Sequence, residues 1–340
     1  MMKKLLLTVA LALPTGVWAE DMVDVTVDTL VRAETDHMFR TNMANLSLAV
    51  GELGHMREAT TPDNQPVIRM NQDTLYSAVL LDLSEPVEVT LPEAEGRYIS
   101  MHVINQDHFM YAEAEPGTYQ ITQEDLGTRF GFIAFRTFVD VNDPADIAAA
   151  QAAQDGIVVS GGGTGPFDAP NWNTEQLATA RKAVNDLSLL GVDTARAFGR
   201  TKDDIDPVQF LVGALSGWGG LPPEAAIYLL DAVDQNDGEV PHAVTVKDVP
   251  VRAFWSVTVY NGDGFLEAND LGVNSYNGYT AEAAEDGSVT LHFGGCDDGR
   301  VNCLPITPGW NYAIRLYEPD QSILDGSWTF PRIEQVSSAN

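Results

Sequence analysis

The sequence predicts an α+β protein, mainly β, with two antiparallel jelly-roll-like β domains and helical N-terminal and inter-domain segments. Three observations predict it. Short runs of alternating apolar and polar residues, cut by proline and glycine, fill two separate stretches of the chain. A stretch with helix-like apolar spacing precedes each. The chain has 340 residues, 44% of them hydrophobic, with 13 Phe, 10 Tyr and 6 Trp, enough apolar material for two cores.

The N-terminus opens with Lys3 and Lys4, an apolar run over 5–13, the break Pro14-Thr15-Gly16 and the exit Val17-Trp18-Ala19. A charged start, a short apolar stretch and a small-residue exit are the parts of a secretory signal peptide, here cleaved near Ala19. The apolar run is well short of the ~20 residues a membrane span needs. No cysteine follows it to carry a lipid, so no membrane anchor is expected. The expected location is periplasmic or secreted. The formal net charge of −30 disfavours nucleic acid, whose binding draws on lysine and arginine.

Residues 20–62 form the helical N-terminal segment. Val27, Leu30, Val31, Phe39, Met43 and Leu46 recur at helical spacing, with Thr35-Asp36-His37 as a candidate break. The first β domain covers 63–141, with strands expected over 75–83, 87–91, 97–105, 117–122 and 130–139. The connecting segment, 142–240, reads as helical. Asp143-Pro144 supplies an N-cap and a first-turn proline; further helices are expected over 174–191, 207–215 and 222–233. Gly161-Gly162-Gly163 lies in a glycine loop that lacks the residues of a phosphate cradle. The second β domain covers 241–340, with strong strands over 251–260, 288–293 and 312–317.

Cys296 and Cys303 are the only cysteines, close together in a glycine- and aspartate-rich loop. In an exported chain they read as one disulfide.

The densest polar cluster is Arg69-Met70-Asn71-Gln72-Asp73-Thr74-Leu75-Tyr76. It can bind a polar ligand, or it can hold a corner, with Asp73 and Thr74 satisfying turn amides and Arg69 pairing with Asp73. In the strand over 97–105, Ile99, Met101 and Val103 share one face, while Tyr98, Ser100, His102 and Ile104 share the other. His102, Asp107 and His108 are metal-ligand types, but a strand histidine more often simply hydrogen-bonds, and no metal site is assigned. Ser256, Thr258 and Tyr260 share a face, as do Arg315 and Tyr317. Such faces line a pocket or meet water on one side of a sheet. Nucleophile elbows, zinc-protease motifs and dinucleotide fingerprints are absent, and no cofactor is expected.

The run from Arg69 to Tyr76, with Leu81-Asp82-Leu83-Ser84-Glu85-Pro86-Val87, resembles domain-of-unknown-function family 1254. Pro250-Val251-Arg252-Ala253-Phe254-Trp255-Ser256-Val257-Thr258-Val259-Tyr260 resembles the companion family 1214, as do Arg315-Leu316-Tyr317-Glu318-Pro319 and Leu324-Asp325-Gly326-Ser327-Trp328. The resemblance spans most of the chain beyond the leader. It implies one jelly-roll-like β domain per family and no agreed reaction. Cys303 stands where the companion family usually has tryptophan, and Asn274-Ser275-Tyr276 replaces its Arg-Tyr-Ser. Both departures fit a loop rebuilt around a disulfide.

The leading expectation is a small polar or carbohydrate-like ligand in a β-domain cavity. Arg69, Asn71 and Tyr76 from one domain would hold it with Tyr260, Arg315 and Tyr317 from the other. A second expectation is a hydrolase or lyase with Asp73 or His102 as general base. A third is an assembly module without a small-molecule site.

Overall fold

The computed structural model describes residues 21–65 and 68–336; the expected signal peptide lies outside them. Helix α1 (Leu30–Leu46) runs without interruption through Thr35-Asp36-His37. The expected break is absent because its polar residues find partners. Asp36 accepts hydrogen bonds from Gln106 Nε2 and Trp172 Nε1, each at 2.9 Å. Beside it, Glu34 takes an ion pair from Arg181 at 2.7 Å.

The first β region comprises β1 (Gly54–His55), β2 (Thr74–Leu91), β3 (Ile99–Asn105), β4 (Met110–Glu113), β5 (Gly117–Ile121), β6 (Phe130–Phe138) and β7 (Val158–Gly163). Its strand order is β1-β2-β6-β3-β4, all antiparallel. The runs expected as two strands over 75–83 and 87–91 are one strand. The first half of β2 pairs with β6, and its second half pairs with β5 on one edge and β7 on the other. The glycines of β7 are thus strand residues and not a loop. Gly161 has φ 85°, and a Cβ there would stand 2.5 Å from the Pro86 carbonyl oxygen, so this close crossing requires glycine.

Period-2 alternation sorts the sheet's faces. Val79, Leu81, Met101, Val103, Ile133 and Phe135 pack in one core. On the other face, Leu80, Ile104 and Phe132 pack against Phe39 of α1 and Phe198. Short α2 (Gln123–Leu126) precedes β6. In α3 (Pro144–Asp155) the Asp143 carboxylate accepts from the Ala145 amide with proline in the first turn, as its sequence predicts. Helices α4 (Thr174–Ser188) and α5 (Pro207–Ser216) pack with α1 around Leu30, Leu177 and Leu215.

The second β region stacks two four-stranded sheets. One has β8 (Ala226–Asp231), β10 (Trp255–Tyr260), β11 (Ser275–Asn277) and β14 (Asn311–Tyr317), in the order β11-β10-β14-β8. The other has β9 (His242–Val246), β12 (Val289–Phe293), β13 (Cys303–Leu304) and, after α6 (Gln321–Leu324), β15 (Glu334–Gln335), in the order β13-β12-β9-β15. Trp255, Val257, Ile314 and Leu316 face Val244, Leu291 and Phe293 across the core between them. The helix expected over 222–233 is instead strand β8. Pro222 closes a turn by accepting from the amides of Ala225 and Ala226, and the chain then pairs along β14. Cys296 and Cys303 form the expected disulfide, their Cα atoms 5.6 Å apart. It lies in the connection between β12 and β13, which pair in parallel.

Candidate functional site

The outer face of β10 and β14 is not wet. Ser256, Thr258, Tyr260, Arg315 and Tyr317 are all buried, because this face docks on the first β region. Register places side chains in rows across each sheet. On the second domain, Tyr228, Arg315 and Ser256 stand opposite one another on β8, β14 and β10. On the first domain, Tyr76, Arg136 and Ser100 do the same on β2, β6 and β3. Each row runs Tyr-Arg-Ser. In each, tyrosine comes from the first strand in chain order, serine from the second, and the central arginine from the last. The two rows belong to facing sheets. Rings join the two sheets: Tyr98 lies 5.5 Å from both Tyr317 and Phe254, and Phe138 lies 5.0 Å from Phe254.

The linker ahead of β2 forms the seam's floor. Arg69 takes a left-handed backbone (φ 55°), with its amide bonded to the Gly264 carbonyl. Arg315 Nη2 donates to the Arg69 carbonyl at 2.9 Å and to the Tyr260 hydroxyl at 2.7 Å, while Nη1 donates to Thr258 Oγ1 at 2.9 Å. The Tyr260 hydroxyl donates onward to the Met70 carbonyl at 2.8 Å. Asn71 Nδ2 reaches Thr74 Oγ1 and the Tyr317 hydroxyl, both at 3.0 Å. Asp73 Oδ1 accepts from Ser275 at 3.2 Å and Asn277 at 3.1 Å. The expected Arg69–Asp73 pair does not form; Arg69 brings its carbonyl to the seam, and its Nε has no partner among the described residues.

Sequence reasoning missed Arg136 and Tyr228. Arg136 is 8% exposed, its guanidinium lies 5.7 Å from the Tyr76 ring, and Nη1 stands 3.5 Å from His102 Nδ1. A guanidinium can only donate, so Nδ1 accepts and the imidazole proton sits on Nε2. Burial first, then Arg136 and His108, hold His102 well below its ordinary pKa, so it is neutral. Burial likewise pushes the phenols of Tyr98, Tyr228, Tyr260 and Tyr317 upward, keeping them as O–H groups.

Neither Arg136 nor Arg315 has a carboxylate in ion-pair range among the described residues, although other arginines of the chain do. Ser100 Oγ, Ser256 Oγ, His102 Nε2 and Asp73 Oδ2 are buried there without hydrogen-bond partners. A cleft of about 650 Å³ opens beside the seam; Tyr98 and Phe138 line it and also pack on Phe254. His108 lies apart, accepting from the Gly219 amide at 3.1 Å among the rings of Phe198, Phe210 and Trp218. No group of three or more metal-ligating side chains occurs among the described residues.

These features define a two-domain β protein with a buried, arginine-bearing polar seam between its domains. The chain belongs to the proteins that join a DUF1254 domain, matched over residues 50–161, to a DUF1214 domain, matched over 225–321, both described as protein of unknown function. The VPA0106 protein of Vibrio parahaemolyticus has a similar crystal structure, with TM-score 0.66 and 20% identity over 91% of this chain and 98% of that one. An uncharacterised protein from Burkholderia cenocepacia aligns at TM-score 0.46 and 15% identity, over 91% of this chain and 88% of its own. None of the curated proteins compared with the chain matches it.

Proposed function

We propose that this chain is an exported protein that binds a small polar, carbohydrate-like ligand in the seam between its two β domains. One observation carries the reading: Arg136 and Arg315 are buried without a carboxylate, among serine, histidine and aspartate atoms left unbonded. An unsatisfied buried polar group costs about 1–3 kcal/mol, and a buried charge costs more. A ligand that completes these bonds offsets that cost. Export is supported by residues 1–19 and by the disulfide, which suits an oxidising compartment.

The test is a thermal-shift screen of sugars, sugar acids and hydroxy acids, repeated on Arg136→Ala and Arg315→Ala. A stabilising compound whose effect survives both substitutions would place the site elsewhere. For export, the N-terminus of protein recovered from the periplasm should begin at Glu20. Any other start inside the mature sequence, or retention in the cytoplasm, counts against it.

Asp73 Oδ2 favours a second reading, an enzyme with this free carboxylate oxygen as general base. His102 suits that role less well, since its Nε2 carries a proton. Turnover that survives Asp73→Asn removes the assignment.

A further inference from the structure

We infer that the ligand of this seam is a small hydroxylated carboxylate, of the sugar-acid or hydroxy-acid class. Its acid group would lie on Arg136 and Arg315, and a hydroxyl on Asp73. The inference rests on reading the seam as a binding site and goes further by fixing the ligand's charge.

Charge comes first. The chain has 19 Lys and Arg against 49 Asp and Glu. Yet the seam holds two buried arginines, Arg136 and Arg315, and a single buried carboxylate, Asp73. Elsewhere, the buried carboxylates are each satisfied by protein donors: Glu34 by Arg181, Asp82 by Arg129, and Asp36 by the neutral Gln106 and Trp172. A surplus of buried cations in so acidic a chain calls for an anion from outside.

Hydrogen-bonding capacity comes second. Arg136 Nη1 makes only a long contact, 3.5 Å, to His102 Nδ1, and His102 Nε2 is a buried donor without a partner among the described residues. The phenols raised by burial stay protonated and so can donate. Against these donors stands one unused anionic acceptor, Asp73 Oδ2. The complement is a molecule with acceptor oxygens at one end and a hydroxyl donor at the other.

Shape selects carboxylate over phosphate. The walls are strands whose amides are spent in the sheet ladders, so they offer no cluster of free backbone N–H groups to cradle a phosphate among the described residues. Planar guanidinium forks flanked by tyrosines match a planar carboxylate.

The experiment is titration calorimetry on the disulfide-intact mature chain with matched pairs. D-glucuronate is compared with D-glucose, D-galacturonate with D-galactose, and L-malate and L-tartrate with succinate. At least one acid should bind ten times or more tighter than its neutral partner. Arg136→Gln and Arg315→Gln should each weaken it at least tenfold. Asp73→Asn should weaken malate or tartrate while leaving succinate unchanged. A neutral sugar binding as well as its acid, still through Arg136 and Arg315, overturns the carboxylate inference and leaves the seam as the site. Failure of the whole panel to bind, or binding indifferent to both arginines, overturns the site as well. Should an arginine variant fail to fold, the acid-against-neutral comparison on the unaltered chain decides the inference.

Discussion

Replacing Arg315 by methionine removes a buried cation while keeping most of its apolar stem. Three hydrogen bonds disappear, to Thr258, Tyr260 and the Arg69 carbonyl. Two of these acceptors keep other partners. The Tyr260 hydroxyl still donates to the Met70 carbonyl, and Thr258 Oγ1 still lies 3.0 Å from Ser275 Oγ. Only the Arg69 carbonyl is orphaned, at about 1–3 kcal/mol. Against that, the desolvation of an ion without a counter-charge, several kcal/mol, is relieved. The ligand-free protein should therefore change by between a ~1 kcal/mol loss and a ~3 kcal/mol gain. Arg181→Met is the control. It strands the Glu34 carboxylate, 2% exposed in helix α1, and should cost about 3 kcal/mol or more. Urea unfolding followed by tryptophan fluorescence measures both, compared at equal m-values. An Arg315→Met loss as large as that of Arg181→Met would make Arg315 a structural clamp and remove the main support for a ligand.

Three further outcomes are expected. Breaking the disulfide, whose cysteines are seven residues apart, by Cys296→Ser with Cys303→Ser should cost about 2.5 kcal/mol in the chain-entropy model, read as a lower urea midpoint. His102 is held well below its ordinary pKa, mainly by burial, and burial takes His108 down to about 3. The unfolded chain therefore binds more protons below pH ~6.5. The stability these histidines give is present above that pH and is lost as pH falls, at about 1.4 kcal/mol per pH unit for each. His108→Gln, which keeps an acceptor for Gly219, should lower the slope by about half a proton at pH 6.5, rising to nearly one at pH 5; an unchanged slope refutes the assignment. Finally, Gly161→Ala forces a left-handed backbone on a residue with a Cβ and a clash with Pro86, costing about 2–4 kcal/mol in the same unfolding assay.

Strands with one apolar face were legible because period 2 is written into them. Trp255-Val257-Val259 and Tyr312-Ile314-Leu316 lie in the core as their alternation predicts. Helix α3 was legible from its aspartate cap and proline. The stretch after Pro222-Pro223 was not. Glutamate and two alanines after prolines imitate a helix start, and pairing with β14 overrides that local preference. The error also hid Tyr228, whose position opposite Arg315 exists only in a strand. Arg136 was hidden differently. Flanked by Phe135 and Phe138 in an apolar run, it resembled a solvated interruption; an arginine amid core aromatics was the signal available. The Arg69–Tyr76 cluster was legible as dense polarity, but not that Arg69 would turn its carbonyl inward.

Strand β2 starts at Thr74, next to Asp73 in the seam, and its far half is gripped on both edges by β5 and β7. At about 3.3 Å per residue, that grip begins some 45 Å along the chain from Asp73. A wall built this way cannot loosen at one end alone. For Tyr76 to shift, β2 must slide against β6, and a slide of one residue turns every side chain on it to the wrong face. The two walls should thus behave as stiff plates, and adjustment to an incoming molecule falls to the segment from Ile68 to Asp73. Hydrogen exchange should divide the same way, slow and concerted along β2 and fast over Ile68 to Asp73.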